Sequence, residues 1–354
     1  MSSSLQLPSI RSKPRNSSFL PSKYWIELNK RNLAQLEKSG YQNFKRTIAR
    51  NYFTWLLAGD NAPFRYLFKG IFKDTQIRYL FKKLPKITIL KALFFALFKA
   101  RKHHLFTLIQ SISCNFLTYL LWEYTECFNT DSSLNKLDEP LEGNPPRIYF
   151  RNKLISQDIA NSFLEYKSIT DEIPKEKIKT IMELGAGYGR TAFVFLKLLP
   201  SIKYIIVDIP PALAIAEKYL SSQFPSKNIF RFKPFLSYSE IESEFNRADI
   251  IFLLPNQIYL LPPKIVDLFI NISSLHEMKL SQIDYYFNLI DNLTNGFLYL
   301  KQWKISRIPY ENIIIAEKDY PIRKNWKQIY WRECAVQTRF FEALFKQLSP
   351  SAQE

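Results

Sequence analysis

From about residue 178 onward, short apolar runs alternate with longer stretches in which apolar residues recur every three or four positions. The short runs are rich in β-branched residues, which predicts buried strands. The longer stretches have helical spacing, and Pro200 ends the first of them. This alternation predicts an α/β fold with a mostly parallel sheet and helices on both faces. The predicted strands are residues 178–184, 203–208, 249–254, 266–271 and 296–301, and residues 313–341 are expected to add two strands and an edge helix.

The pattern before this region is mainly helical, from residue 23 to residue 135. The next stretch contains three prolines and predicts a linker, after which a helix is predicted over about residues 156–166 with Ser156 as its N-cap. Residues 1–22 are rich in Ser, Pro, Arg and Lys, which is typical of a disordered tail. The sequence therefore predicts three parts: a tail (1–22), a helical region (23–135) and an α/β domain (136–354).

The helical region carries most of the positive charge of the chain. The net charge is +17 over 354 residues, and residues 1–140 contain 22 basic and 9 acidic residues, a balance of +13. Residues 64–73 and 89–104 combine apolar positions at helical spacing with basic flanks, which predicts amphipathic helices. Residues 105–122 are apolar but interrupted by polar residues, which indicates a buried helix rather than a membrane span.

Three interpretations of the basic helices stay open: a cap packed on the α/β domain, a helix on an anionic membrane surface, and a nucleic-acid-binding element. No recognised RNA- or DNA-binding module is visible, so nucleic acid is not expected as a partner. The three cysteines are scattered, no C-x-x-C is present, and the first residues lack the apolar core of a signal peptide. We therefore expect a cytoplasmic protein, peripheral to the inner face of the membrane under the second interpretation. The sequence gives no signal for an oligomeric state.

Glycine is rare in this chain, with 8 residues, yet three glycines stand at alternate positions within IMELGAGYGR, residues 181–190. They connect a predicted strand to a predicted helix. Glycine permits positive φ and close approach of a ligand to the backbone, and the free N–H groups of the helix start then face that ligand. Asp208 follows at the tip of the next strand, where a carboxylate can accept both hydroxyls of a ribose. The pattern predicts a nucleoside ligand.

The spacing differs from the dinucleotide fingerprint G-x-G-x-x-G, because its sixth position holds Arg190. Glu183-Leu-Gly-Ala-Gly-Tyr-Gly instead resembles motif I of class I S-adenosylmethionine (SAM) methyltransferases. The resemblance implies a Rossmann-like, mostly parallel seven-stranded sheet and SAM as cofactor, with Glu183 serving its amino group and Asn256 or Gln257 reaching the adenine. The residues expected to bind the cofactor are Glu183, Gly185, Ala186, Gly187, Tyr188, Gly189, Arg190, Asp208, Ile209, Asn256, Gln257 and Asn271.

Further blocks resemble the family of sugar O-methyltransferases. They are residues 139–145, 155–165, 207–213, 251–257 and 267–278, and together they cover roughly residues 135–345. The resemblance implies methyl transfer to a sugar hydroxyl, in a precursor of a surface polysaccharide or glycolipid. Two alternatives stay open: O-methylation of another small molecule, and a non-catalytic SAM-fold protein that binds membrane or RNA.

The helix predicted after Ser156 places four polar residues at i, i+3, i+4 and i+7, so they share one face. These residues are Asp158, Asn161, Ser162 and Glu165. Periodicity alone is compatible with a polar surface stripe. The family resemblance favours a face that covers the SAM or substrate pocket.

His276 and Glu277 are the candidate catalytic residues, since they stand just past the end of the fourth predicted strand. A sugar hydroxyl is a weak acid, so its proton must be removed as the methyl group is transferred. A histidine suits that work, and the placement resembles the His-Asp pair of plant phenolic O-methyltransferases. Glu277 could orient the imidazole or act as the base itself, and a histidine that merely caps the next helix is the alternative. No cluster with metal-ligand spacing follows this strand, so no metal is expected.

Overall fold

The computed structural model describes residues 23–45, 75–99, 108–308 and 312–348. The predicted tail (1–22) and the predicted amphipathic helix over residues 64–73 lie outside the described residues. The chain divides into two compact units. We call Asn32–Lys167 with Ala335–Thr338 the helical unit, and Ser168–Cys334 with Met1–Arg31 and Arg339–Glu354 the sheet unit. The predicted boundary between residues 135 and 136 stays a prediction.

Helices dominate the described part of the helical unit before residue 135, as the spacing predicts. They are α1 (Lys23–Ser39), which continues from the sheet unit, α2 (Thr75–Lys83), α3 (Lys86–Lys99) and α4 (Leu108–Glu126). Pro85 separates α2 from α3, because proline is tolerated at a helix start but not inside one. The middle of α4 is buried, as predicted for residues 105–122, and no helix among the described residues is long and apolar enough to span a membrane.

A hairpin and a helix complete the helical unit. Strands β1 (Ile148–Phe150) and β2 (Lys153–Ile155) pair antiparallel around Arg151 and Asn152, both of which have positive φ, as a two-residue hairpin turn requires. Helix α5 (Gln157–Thr170) then runs on into the sheet unit. The Oγ of Ser156 accepts a hydrogen bond from the N–H of Ile159 at 3.1 Å, so the predicted N-cap is confirmed.

The sheet unit is built on an eight-stranded sheet. Its strands are β3 (Thr180–Leu184), β4 (Lys203–Val207), β5 (Ile229–Phe230), β6 (Ile250–Leu253), β7 (Val266–Ile272), β8 (Thr294–Trp303), β11 (Trp326–Glu333) and β12 (Phe340–Gln347). Their order across the sheet is β11-β12-β8-β7-β3-β4-β6-β5. Neighbouring strands are parallel along the run β8-β7-β3-β4-β6-β5, and β12 runs antiparallel to both of its neighbours. The helices between them are α6 (Arg190–Leu198), α7 (Ala212–Gln223), α8 (Glu242–Arg247) and α9 (Leu280–Leu293). The predicted mostly parallel α/β architecture is confirmed.

The sheet differs from the prediction at its two ends. It has eight strands instead of seven, because the two-residue strand β5 pairs with the outer edge of β6. A strand of two residues is too short to leave a periodic pattern. The prediction of an edge helix within residues 313–341 is wrong. That range begins with β10 (Ile313–Ala316), which pairs with the preceding strand β9 (Ile305–Ile308), and its only helical element before β11 is a 3₁₀ turn, Glu317–Asp319. The run Ile313-Ile314-Ile315 explains this outcome, since β-branched residues favour strands.

Chain order reverses at β3, which has β4 on one side and β7 on the other. Leu184, the last residue of β3, lies opposite Val207 of β4 and Asn271 of β7. The residues that follow these strands therefore leave the sheet at the same edge. Ligands of open parallel sheets bind in the crevice at such a switch point. The glycine turn, Asp208 and the His276–Glu277 pair all follow these three strands.

Candidate functional site

The glycine turn between β3 and α6 has positive φ at each of its three glycines, 78° at Gly185, 60° at Gly187 and 88° at Gly189. A Cβ on Gly185 would collide with the side chain of Ser274, and one on Gly189 would come within 2.7 Å of Leu220. A Cβ on Gly187 would meet nothing within 4 Å. Two glycines are thus required by packing, whereas the middle one faces open space. That is the side from which a ligand can approach the backbone.

Asp208 closes this turn from the tip of β4. Its Oδ2 accepts a hydrogen bond from the N–H of Gly187 at 2.6 Å, and its Oδ1 accepts one from the N–H of Ile209 at 2.7 Å. Burial raises the pKa of this carboxyl to about 7, although the two backbone N–H groups oppose the rise. An ionised carboxylate has about four acceptor positions, so two remain for a ligand. Asp208 therefore joins the strand tip to the open face of the glycine turn.

Glu183 is buried near the end of β3. Its Oε2 accepts a hydrogen bond from the hydroxyl of Tyr204 at 2.8 Å. Tyr204 lies on the neighbouring strand β4, so the two residues tie the strands together beneath the turn. A buried carboxylate with such a donor has its position fixed. Its predicted contact with a cofactor amino group stays a prediction.

Asn271, the residue opposite Leu184 on β7, has both ends of its amide occupied. Its Nδ2 donates to the carbonyl of Leu184 at 2.8 Å and to Oγ of Ser274 at 2.7 Å. Its Oδ1 accepts from the amide nitrogen of Gln302 at 2.5 Å and from the N–H of Leu275 at 3.3 Å. Asn271 thereby fixes the start of the glycine turn to the loop after β7. A direct contact with a cofactor stays a prediction.

Gln302, which follows the β8 residue opposite Ile272, links this network to His276. Its Nε2 also donates to the carbonyl of Asn271 at 3.1 Å, so both groups it faces are acceptors and the amide orientation is fixed. The Oε1 lies 3.0 Å from Nδ1 of His276. The backbone N–H of Trp303 points at the same Nδ1 from 3.5 Å. Because Oε1 can only accept and its contact with Nδ1 is the shorter of the two, the geometry favours a proton on Nδ1, which leaves the lone pair on Nε2.

His276 and Glu277 lie side by side in the 3₁₀ turn after β7, with Nε2 of the imidazole 3.8 Å from Oε1 of the carboxyl. Burial lowers the pKa of His276 to about 4, despite the hydrogen bond to Gln302, which raises it. Burial raises the pKa of Glu277 to about 8, and the nearby Asp208 carboxylate adds to the rise. The two predicted catalytic residues are therefore brought together, and Glu277 lies within electrostatic reach of Asp208.

The loop after β6 brings Asn256 and Gln257 to the same sheet edge. Gln257 is buried and fully used, since its Oε1 accepts from the N–H of Leu254 and its Nε2 donates to the carbonyl of Lys233, both at 2.8 Å. Asn256 is half-buried, and its side chain makes no hydrogen bond to the described part of the chain. Of the two residues predicted to contact adenine, Asn256 is therefore the one whose amide is available. Neither contact is tested by the structure.

Ala186, Tyr188 and Arg190, the other residues predicted to bind the cofactor at the glycine turn, are placed within the sheet unit. Ala186 is buried, and Arg190 is the first residue of α6. The ring of Tyr188 packs edge-on against that of Tyr219, with 5.6 Å between centroids. Their predicted roles in cofactor binding stay predictions.

The four residues of the predicted polar face of α5 differ in burial within the helical unit. Ser162 and Glu165 are buried, whereas Asp158 and Asn161 are half-buried. Asp158 lines a cavity of this unit together with Thr118, Glu139 and Gln157. In the wall of the cavity Glu139 forms an ion pair with Lys45 and accepts a hydrogen bond from Ser156. The structure thus joins two sequence blocks, residues 139–145 and 155–165, around one polar cavity.

Gln157 points a poorly satisfied amide at this cavity. Its Nε2 reaches Oγ1 of Thr118 only at 3.4 Å and Sγ of Cys114 at 3.9 Å. Its Oε1 accepts no hydrogen bond from any described residue, although the side chain is buried. A buried amide with unused hydrogen-bonding capacity favours a polar ligand or water.

Sequence reasoning missed three residues that hold the site together: Tyr204, Ser274 and Gln302. Ser274 stands in a block that resembles the sugar family, but its packing against Gly185 depends on the return of the chain to β7. Gln302 could have been found only from the register of β7 with β8.

Among the described residues, no group of three His, Cys, Asp or Glu side chains is arranged to hold a metal ion.

The open face of Gly187 and the buried Asp208 fit a ribose-bearing ligand, and Glu183 and Glu277 add carboxyl groups near it. This donor set suits a nucleoside that carries positive charge, because carboxylates favour a cation. The residues present therefore fit SAM, whose amino group and sulfonium are cationic.

No family model matches this chain, and no curated protein does either. Solved structures similar to it include a SAM-dependent methyltransferase of Clostridium acetobutylicum, with 12% identity over 53% of this chain and 91% of that chain, and a TM-score of 0.37. A SAM-dependent methyltransferase of Aquifex aeolicus has 12% identity over 52% and 89% of the two chains, with a TM-score of 0.31. The mitomycin 7-O-methyltransferase MmcR has 10% identity over 77% and 71%, with a TM-score of 0.33. Similarities at this level say nothing about a substrate.

Proposed function

We propose that this protein is a SAM-dependent O-methyltransferase that acts on a sugar hydroxyl in a precursor of a polysaccharide or glycolipid. The observation that carries the proposal is the hydrogen bond from Gly187 to Asp208 at the switch point of the sheet. It places a buried carboxylate beside a backbone that is open to a ligand. That arrangement supports binding of a nucleoside, and the acidic surroundings support a cationic one.

Each residue of the sheet unit has a distinct part in this proposal. Asp208 accepts the ribose hydroxyls, Glu183 serves the amino group, and Asn256 contacts the polar edge of the adenine. The bound SAM supplies the methyl group. The turn itself is held in shape by Asn271 and Ser274, which act as positioning residues.

The proton of the acceptor hydroxyl goes to the His276–Glu277 pair, and the electrostatics favour Glu277 as the base. A base works best when its pKa lies near the working pH. The pKa of Glu277 is raised to about 8, whereas that of His276 is lowered to about 4, which makes the imidazole a weak base. A cationic ligand beside Glu277 and Asp208 lowers both carboxyl pKa values, so Glu277 becomes ionised when the site is loaded. His276 then offers Nε2 as a neighbouring acceptor for the same proton.

The sugar assignment rests on the blocks that resemble sugar O-methyltransferases, and the cavity of the helical unit supports it. Its polar groups are two carboxylates, an ammonium, two hydroxyls and an amide, contributed by Glu139, Asp158, Lys45, Ser156, Thr118 and Gln157. Such a set can pair with several hydroxyl groups of one ligand. Pro145 and Ile148 add apolar walls, which suit the C–H face of a sugar ring.

The test is methyl transfer from methyl-labelled SAM to extracted glycan precursors and, in parallel, to a panel of phenols and other small alcohols. Label in the saccharide fraction that withstands mild base, which cleaves methyl esters, supports the proposal. If label is found only in the panel of phenols and small alcohols, the methyl acceptor is a hydroxyl group of a non-sugar molecule. SAM binding without turnover on any acceptor favours a non-catalytic SAM-binding protein.

A further inference from the structure

Helix α3 exposes a set of large apolar side chains that the site does not explain. Six of them have between 43% and 73% of their surface in water. At about 150–250 Å² for an aromatic side chain, the two phenylalanines alone expose on the order of 200–300 Å². Monomeric soluble proteins rarely present apolar patches beyond a few hundred Å² without a partner. We call these residues the α3 face: Ile87, Leu90, Leu93, Phe94, Leu97 and Phe98.

The α3 face is one continuous stripe, because its members recur at spacings of three and four residues. The opposite side of α3 carries Ala92 and Ala96, which are buried, and the ring of Phe95 packs on Tyr119 of α4 at 5.3 Å. The helix therefore turns small residues inward and large apolar residues outward. An ordinary surface helix shows the opposite arrangement, with large apolar residues toward the core and polar residues toward water.

The described residues of α2 and α3 carry positive charge and no negative charge. Residues 75–99 contain six basic residues and no acidic residue. Five of the basic side chains are exposed, and they lie on α2 and α3: Arg78, Lys82, Lys83, Lys86 and Lys91. An apolar stripe flanked by lysine and arginine is the composition of helices that lie in the interface of an anionic membrane.

We propose that the α3 face docks on an anionic lipid bilayer, with α3 lying parallel to the surface. Its apolar side chains enter the boundary between headgroups and acyl chains, and the basic residues contact lipid phosphates. At 14 residues α3 is about 21 Å long, shorter than the roughly 30 Å hydrocarbon core, which suits lying on a membrane and not crossing it. A nucleic acid would leave the stripe in water, and a second copy would bring like charges together. The inference does not depend on the proposed methyltransferase activity.

The experiment is flotation of the full chain with vesicles of phosphatidylcholine alone and with vesicles that contain 30% phosphatidylglycerol, at low and at high salt. We expect recovery with the anionic vesicles and at least about tenfold less with the neutral ones. Leu90→Ser with Phe98→Ser should lower the anionic recovery by about tenfold or more, at both salt concentrations. Lys82→Glu with Lys83→Glu should lower it at low salt.

Matched controls come from exposed residues of the sheet unit. Leu236→Ser removes an exposed leucine, and Lys324→Glu with Lys327→Glu reverses two exposed lysines. Both controls should float like the unmodified chain, and SAM affinity should stay unchanged in all variants. Equal recovery with neutral and anionic vesicles overturns the proposal, as does recovery unaffected by the α3 substitutions. A concentration-dependent dimer that Leu90→Ser with Phe98→Ser abolishes, with no lipid binding, reassigns the face to a contact between copies.

Discussion

The Oε1 of Gln302 lies 3.0 Å from Nδ1 of His276, and the Nε2 of the same side chain donates to Oδ1 of Asn271 at 2.5 Å. Asn271 in turn donates to the carbonyl of Leu184, the residue before the first glycine of the turn. One amide thus connects the candidate acid–base pair to the backbone of the candidate cofactor site. The loop after β7 and the glycine turn are therefore held in a fixed relation by buried hydrogen bonds.

The first prediction concerns the imidazole of His276. Nitrogen-15 NMR should find it neutral, with the proton on Nδ1, down to about pH 5, because burial lowers its pKa to about 4. Gln302→Leu removes the acceptor, so the ring should populate both tautomers and turnover should fall by about tenfold or more. SAM affinity should change little. An unchanged tautomer in Gln302→Leu would show that another group orients the ring.

The second prediction separates the two candidate bases. Glu277→Gln should lower turnover by roughly 10²–10⁴-fold, the range expected when a general base is lost. His276→Ala should have a smaller effect, since an imidazole of low pKa is a weak base. Both variants should keep the fold by circular dichroism. Near-normal turnover in Glu277→Gln, together with an inactive His276→Ala, would return the role of base to the histidine.

The third prediction is a pH dependence of SAM binding. Asp208 and Glu277 have pKa values raised to about 7 and about 8, so both carry protons at pH 6 in the free protein. A protonated carboxyl attracts a cation less, and each proton that must be released weakens binding by up to about tenfold per pH unit. Calorimetry should therefore show affinity rising from pH 6 to pH 8. Glu277→Gln should flatten that rise, whereas a flat profile in the unmodified protein would contradict the assignment.

The fourth prediction concerns the effect of the raised pKa of Glu277 on the free energy of unfolding. The folded pKa of Glu277 lies above its ordinary value of 4.5, so the folded state holds the proton more tightly than the unfolded chain. The resulting stabilisation is complete below about pH 4.5 and is lost as the pH rises through about 8. Relative to the unmodified protein, Glu277→Gln should gain up to about 4 kcal/mol in free energy of unfolding between pH 5 and pH 9, at about 1.4 kcal/mol for each pH unit up to about pH 8.

Urea unfolding at several pH values measures this gain. Glu176→Gln, at an exposed position of the sheet unit, is the matched control and should show no such trend. A constant difference between Glu277→Gln and the unmodified protein across this range would mean that Glu277 is ionised in the folded state at low pH.

The fifth prediction addresses the cavity of the helical unit. Asp158→Ala and Gln157→Leu should raise KM for the acceptor and leave the Kd for SAM unchanged, because both residues line that cavity and not the glycine turn. Steady-state kinetics with the acceptor and calorimetry with SAM provide the two readouts. Asp171→Ala, an exposed acid just beyond α5, serves as the control. Equal loss of SAM affinity in Asp158→Ala would contradict a separate acceptor site.

Much of the sheet could be predicted because its parallel strands β3, β4, β6 and β7 are apolar runs of four to seven residues with turn residues between them. The glycine turn and Asp208 were also predictable, since their chemistry is local in sequence. The exceptions have physical causes: β5 is too short for a period, and the β9–β10 hairpin lies where aromatic and apolar residues are also compatible with a helix. Gln302 and Ser274 could not be found, because their partners lie 31 and 90 residues away and depend on strand register.

Binding of SAM is the claim on which the proposed function depends, and isothermal calorimetry on the folded protein tests it most directly. The unmodified protein should bind SAM. Asp208→Ala should lose about 1.5–3 kcal/mol, the value of hydrogen bonds to a charged group, and Gly187→Val should fill the open face and abolish binding. Asp284→Ala, an exposed acid on α9, should bind like the unmodified protein. Unchanged SAM affinity in both Asp208→Ala and Gly187→Val, or no SAM binding by the folded unmodified protein, would contradict the account.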